Sequence, residues 1–230
     1  MSLDSEGANL LQFTLFDFQK TSSEAFELFP KVWAAAEALT DLNVGNRLAG
    51  LAILEEIRAA RFSPLVAYLL LSKIIDSDLN FRVQLIKAIA EVFEPDEQGN
   101  LAPEVVRQNL TLHLCQIRSH QILAILEAAS VDPGLDLQVA ALLKPNCEAG
   151  NQLMEILADR RMPIKLRERA AHFMVRVGYV ESVPGIERLI GRLESRINGQ
   201  QAFSFSSPDS NDESELLPTL KLALAALQAP

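Results

Sequence analysis

Basic side chains at regular spacing form the pattern with the clearest chemical use in this sequence, the electrostatic binding of a partner. They are Lys165, Arg169, His172 and Arg176 in one segment and Arg188, Arg192 and Arg196 in the next. Within each segment the spacing is three or four residues, which places the side chains on one face of a helix. A face of one charge attracts a partner of the opposite charge. Both stripes therefore predict a binding surface for an acidic segment of another protein.

The same stripes have a simpler interpretation as ordinary solvated helix faces. Glu168 lies within the first stripe and would partly neutralise it. Arg196 would also be placed favourably near the negative C-terminal end of its helix, without any partner. The spacing alone therefore leaves two alternatives, a partner site and a solvated face.

Residues for catalysis or metal binding do not occur in a recognisable arrangement. The sequence has no Gly-rich phosphate loop, no nucleophile elbow and no His-Glu-x-x-His pair. No two of the three histidines, His113, His120 and His172, lie four residues apart, as two ligands on one helix face would. Cys115 is interpreted as a small packing residue, and Glu55 and Glu56 as a solvated helix face. We expect no catalytic residue, no metal and no cofactor, and hence a protein that is not an enzyme.

The net charge of the chain is strongly negative, but the charged residues are unevenly distributed. The net charge is −9 and the pI is near 4.9, which argues against nucleic acid as a partner. Residues 160–196, however, contain nine Lys or Arg and four Asp or Glu, whereas residues 1–159 contain eleven and twenty-two. The segment that carries both basic stripes is thus much less acidic than the rest of the chain.

The location in the cell is predicted from features that the sequence lacks. The start of the chain does not resemble a signal peptide. Its longest uncharged apolar run, 62–72, has 11 residues, whereas a membrane-spanning helix needs roughly 20. The two cysteines, Cys115 and Cys147, suggest neither a disulfide framework nor a metal site. We expect a cytoplasmic, soluble protein with no membrane contact.

The elements that position these residues are predicted to be helices. Apolar residues recur at three-to-four spacing almost from end to end, and the composition favours helices over strands. The positions that open successive helix pairs are Pro30, Pro64, Pro103, Asn146 and Pro184. Their spacings of 34, 39, 43 and 38 residues are close to the forty-residue period of two-helix repeats. The expected fold is an all-α superhelix of about five helix pairs.

Several local expectations accompany this fold. Residues 1–22 are predicted to be a partly ordered N-terminal segment, and 23–228 one helical domain with a mobile loop at about 198–213. Trp33 is assigned to the core. The helix opened by Ser63 and Pro64 is apolar on nearly every side, so it is expected to be covered all round. The short apolar stretch 135–143 departs from the repeat pattern.

Some of these helices resemble those of the HEAT-repeat family. The segment from Val183 to Leu193 resembles the first helix of that repeat, and Asp159 with Leu166 and Arg167 resembles its turn and second helix. Looser copies are Asp76 with Arg82 and Asp41 with Arg47. The resemblance implies an α-solenoid with an interaction surface, and no catalytic residues are carried over. Because second helices usually line the concave side in this family, the stripe from Lys165 to Arg176 is the better candidate site.

Two other functions occur among HEAT-like proteins and remain alternatives. One is nucleic-acid processing of the DNA-glycosylase type, although the acidic charge and the lack of clustered Trp and Tyr facing a carboxylate count against it. The other is assistance in bilin attachment, as in bilin-lyase-type HEAT proteins, which no residue favours specifically. We expect a scaffold or protein-binding module.

Overall fold

The structure, a computed structural model, describes residues 22–200 and 213–229, and within these the side chains of 28–197 and 214–229. The described residues form α-helices and three single-turn 3-10 helices, and they contain no β-strand. The α-helices are α1 (Ser22–Ala38), α2 (Val44–Glu56), α3 (Ala59–Phe62), α4 (Pro64–Ser72), α5 (Leu79–Ala90), α6 (Glu104–Leu114), α7 (Ser119–Val131), α8 (Asp136–Leu143), α9 (Ala149–Ala158), α10 (Ile164–Val177), α11 (Val183–Gln200) and α12 (Leu216–Gln228). The 3-10 helices are Pro133–Leu135, Val180–Ser182 and Glu213–Glu215. The prediction of an all-α protein is confirmed.

Local sequence signals explain where several helices begin and end. The Ser63 side chain accepts a hydrogen bond from the Val66 N–H at 3.3 Å, and Pro64 occupies the first position of α4, where no N–H is needed. Gly178 ends α10 with a φ of 87°, a left-handed conformation that glycine adopts without steric cost. Both ends were predicted from these residues.

Two predicted segments fall largely outside the described residues. The N-terminal segment 1–22 does so except for Ser22, the first residue of α1. Of the loop predicted at about 198–213, residues 198–200 belong to α11, which continues through Gln200. Once a helix has formed, each further residue adds a hydrogen bond without a new nucleation cost. Residues 201–212 lie outside the described part.

Five of the helices form a row that follows the order of the chain. α2 contacts α5, α5 contacts α7, α7 contacts α10, and α10 contacts α12. The other helices pack beside this row. α1 packs on α2, and α4 packs on α5 and α6. α9 packs on α7 and α10, and α11 packs on α9 and α12. Every main contact joins helices that are at most three positions apart in chain order. The buried apolar side chains form one continuous core in one compact domain.

The segment 135–143 is an additional helix within this arrangement. α8 follows the 3-10 turn Pro133–Leu135 and packs against α5, α7 and α10. Its side chains Val139, Leu142 and Leu143 are fully buried. The helix brings its first residue, Asp136, to the surface of α10.

Two predictions about burial were wrong. Trp33 is 54% exposed, because the buried side of α1 faces α2 and the indole lies on the other side, where its Nε1 donates to Glu37. Leu65 and Tyr68 of α4 are 45% and 46% exposed, so this apolar helix is not covered all round. Hydrophobic composition alone does not reveal which face a neighbouring helix covers.

Buried arginines connect neighbouring segments of the fold. Arg47 at the start of α2 donates from Nη2 to Asp76 Oδ1 at 2.9 Å and from Nη1 to the carbonyl of Asp41 at 3.0 Å. Arg82 of α5 donates to Glu127 Oε2 of α7 at 2.6 Å. Arg167 of α10, only 1% exposed, donates from Nε to the Leu157 carbonyl of α9 at 2.8 Å. Each guanidinium thus joins two neighbouring segments.

Among the described residues, no helix is both long enough and apolar enough to cross a membrane.

Candidate functional site

The first basic stripe lies on the outward side of α10. Lys165 and Arg176, at its two ends, are exposed, whereas Arg169 and His172, in its middle, are half-buried. The opposite side of the helix is buried against the core and carries Arg167, Ala170 and Met174. The four basic residues therefore share one side of a helix, as their spacing predicts.

An acidic residue from another helix occupies the middle of this stripe. The Arg169 guanidinium donates from Nη2 to Oδ1 of Asp136, the first residue of α8. His172 donates from Nε2 to Asp136 Oδ2 at 2.8 Å. The Arg169 guanidinium also lies over the Phe173 ring, 4.8 Å from its centroid. Two of the four residues predicted to bind a partner, Arg169 and His172, thus already bind a carboxylate of this chain.

Glu168, the expected neutralising residue, has a different role. Its Oε1 accepts a hydrogen bond at 3.4 Å from Thr219 Oγ1 of α12. The residue that does neutralise the stripe, Asp136, lies 33 positions before Arg169 in the sequence. A possible signal was the position of Asp136 at the start of an additional apolar segment, but the sequence did not indicate that this segment packs on α10.

The charge environment of Asp136 favours its ionised form. Partial burial by itself raises the pKa of this carboxyl group, but the hydrogen bond and charge of Arg169, followed by those of His172, outweigh burial. The net effect lowers the pKa below its ordinary value. The cluster of Asp136, Arg169 and His172 is therefore held together by an ionised carboxylate at neutral pH.

This environment predicts a defined pH dependence for the variant Asp136→Asn. Because the folded-state pKa is lowered, the stabilising contribution of Asp136 is present above its unfolded-state pKa, about 4, and is lost as the pH falls through the folded-state value. We expect the variant to be about 1 kcal/mol less stable than the wild type at pH 7. Urea unfolding followed by circular dichroism at several pH values should show this difference shrinking below about pH 4. A difference that is constant down to pH 2 would contradict the assignment.

The second stripe lies on α11. Arg188 and Arg192 of α11 are exposed, and Arg188 Nε donates to the Pro184 carbonyl at 3.1 Å. Arg196 is half-buried and interacts within the chain. α10 and α11 each pack against α9 and α12. The two stripes therefore lie on different helices that share the same two neighbours.

Glu55 also differs from its expected solvated environment. It is half-buried and lines a cleft of about 10 Å³ together with Glu91 of the α5 C-terminus. Burial raises the pKa of both carboxyl groups, and for Glu55 the neighbouring charge of Glu91 raises it further. Glu56, the adjacent residue, does not line this cleft.

The cleft has the dimensions of a packing defect. A volume of about 10 Å³ holds roughly one water molecule, whereas sites for small organic ligands enclose roughly 300 Å³ or more. Arg61, only 5% exposed, lines the cleft and donates to the carbonyls of Glu91 and Asn100. The cleft is therefore too small for an organic substrate. In the part of the chain that the structure describes, no three His, Cys, Asp or Glu side chains are grouped so that they could hold a metal ion.

Comparisons of this chain with protein-family models, with curated proteins and with solved structures found no match.

Proposed function

We propose that the chain is a HEAT-like α-solenoid. The sequential packing of α2, α5, α7, α10 and α12 supports this proposal, because repeat arrays form contacts only between neighbouring units. The Arg47–Asp76 ion pair supports it as well. Both residues belong to the turn and second-helix pattern of the repeat, and the pair connects one helix pair to the next.

On this scaffold, we propose a non-enzymatic function as a cytoplasmic protein-binding module that recognises an acidic segment of a partner. The observation that carries the proposal is the exposure of Lys165 and Arg176 at the ends of the α10 stripe. In the described residues neither has an ion-pair partner, although the molecule as a whole has a charge of −9. Because its net charge is negative, the molecule as a whole does not attract anions. An acidic ligand would therefore bind specifically at these two cations.

The spacing of these cations suggests the form of the ligand. Lys165 and Arg176 are eleven residues apart, which corresponds to roughly 16 Å along a helix. An extended peptide spans this distance with about five residues. Asp136 holds Arg169 and His172 between the two ends, so that the ligand would contact mainly the outer cations. An extended acidic segment of about five residues is therefore the best-matched ligand.

Binding of a labelled hexaglutamate peptide, measured by fluorescence anisotropy, tests this proposal. We expect the double variant Lys165→Glu/Arg176→Glu to bind at least about tenfold more weakly than the wild type at low salt, because two attractive contacts become repulsive. The difference should decrease with added salt.

A second double variant, Lys31→Glu/Lys73→Glu, provides the matched control. It introduces the same change in net charge in α1 and after α4, far along the chain from α10. We expect it to retain most of the wild-type affinity. Equal weakening by both double variants would show that net charge, and not the stripe, controls binding. No binding by the wild type would refute the proposed ligand.

A further inference from the structure

The fold brings the only two cysteines of the sequence to adjoining turns. Cys115 follows α6, and Cys147 lies in the turn between α8 and α9, 32 residues later. The Cys115 thiol donates a hydrogen bond to the carbonyl oxygen of Pro145, and the Sγ–O distance is 2.9 Å. Cys147 is two residues beyond Pro145. The sequence alone did not suggest that these residues are close.

Buried hydrogen bonds fix the two turns against each other. Asn146, which is fully buried, donates from Nδ2 to the carbonyl of Ile117 at 3.1 Å. Gln152 of α9 donates from Nε2 to the same carbonyl at 3.3 Å. Because Asn146 precedes Cys147 directly and Ile117 is two residues after Cys115, these bonds hold both cysteine-bearing turns in place.

Both thiols are also accessible. Cys115 and Cys147 are free and exposed. The two residues from Pro145 to Cys147 span at most about 7 Å, and a disulfide joins Cα atoms roughly 4.4–6.8 Å apart. The two thiols thus lie on adjoining turns, and a bond between them requires the exposed Cys147 turn to bring its Cα atom within this range of the Cys115 Cα atom.

We propose that Cys115 and Cys147 form a dithiol site that exchanges with small disulfides of the glutathione class. In the first step, one cysteine thiolate attacks a sulfur of oxidised glutathione, forms a mixed disulfide and releases one glutathione thiolate. In the second step, the other cysteine thiolate attacks the protein sulfur, forms the Cys115–Cys147 bond and releases the second glutathione. Two electrons pass from the protein to glutathione, and the two thiol protons end on the released glutathione thiols.

Mass spectrometry of the full chain tests this proposal directly. The protein is incubated with oxidised and reduced glutathione at defined ratios, quenched with acid and treated with a maleimide. We expect the wild-type monomer to lose both reactive thiols without retaining glutathione. Cys115→Ser and Cys147→Ser, each with one thiol, should instead retain one glutathione per chain. A wild-type product with glutathione on both cysteines, or only disulfide-linked dimers, would overturn the proposal.

The same titration in urea separates the effect of the fold from that of the chain. The unfolded chain must close a loop across 32 residues, whereas the folded protein holds the turns together. We expect the ratio of internal disulfide to mixed disulfide to be at least about tenfold higher in the folded protein. An equal or lower ratio would show that the fold does not bring the thiols together and would refute the inference.

Discussion

Replacement of Arg47 by methionine is expected to lower the free energy of unfolding by about 3 kcal/mol, since it leaves a buried charge without its partner. The side chains of Arg47 and Asp76 are only 11% and 13% exposed. The variant would also leave the carbonyls of Asp41 and Leu42 without the hydrogen bonds that Arg47 donates. Methionine preserves much of the side-chain volume, so a cavity contributes little. Urea unfolding followed by circular dichroism measures the change.

Two further variants identify the cause of this loss. Arg161→Met removes an exposed guanidinium whose ion pair with Asp159 lies at the surface, and we expect no measurable change. In the double variant Arg47→Met/Asp76→Asn, the orphaned charge is also removed. Its total loss should be smaller than the sum of the two single losses, because the residues interact. A change below about 1 kcal/mol for Arg47→Met would contradict the role of the buried pair.

A second large effect is expected at Gly50, where α1 and α2 approach each other closely. A Cβ atom at this position would lie 2.7 Å from the Ala35 carbonyl oxygen and 2.8 Å from the Ala38 Cβ. Helix propensity by itself favours alanine over glycine by roughly 1 kcal/mol. The clash involves backbone, which cannot rotate away, and overpacking of this kind costs roughly 1–3 kcal/mol. We expect Gly50→Ala to destabilise the protein by about 1 kcal/mol net.

Gly191 supplies the matched control for this substitution. It also lies within a helix, α11, but a Cβ added there would meet no atom within 4 Å. Only the propensity effect remains, and we expect Gly191→Ala to stabilise the protein by about 0.5–1 kcal/mol. The two variants should therefore shift the urea midpoint in opposite directions. A shift of the same sign for both would show that α1 and α2 do not approach each other this closely at Gly50.

Substitutions that change stability and substitutions that change binding should lie in different parts of the chain. Arg47 and Gly50 act on the packing of the N-terminal helices and are remote in sequence from α10. By contrast, Lys165 and Arg176 are exposed, so their substitution should change binding to an acidic peptide with little effect on unfolding. Parallel measurement of both properties for each variant would distinguish loss of the surface from loss of the fold.

The sequence was sufficient for the features that act over a few residues. Helical periodicity of apolar residues identified the all-α class, and Ser63, Pro64 and Gly178 marked the ends of their helices. The common face of Lys165 and Arg176 also followed from spacing alone. These features depend on the 3.6-residue turn of the helix and on hydrogen bonds at its ends, which are local properties.

Only the tertiary structure decided which faces are covered and which charges meet. Trp33 belongs to an apolar stripe but lies on the side that α2 leaves open. Asp136 binds Arg169 across 33 residues, and the turn holding Cys147 reaches Cys115 across a similar distance. Such contacts arise from how α8 and α9 pack against other helices. Periodicity specifies that a helix has a buried side, but its partner is chosen by packing among segments far apart in the chain.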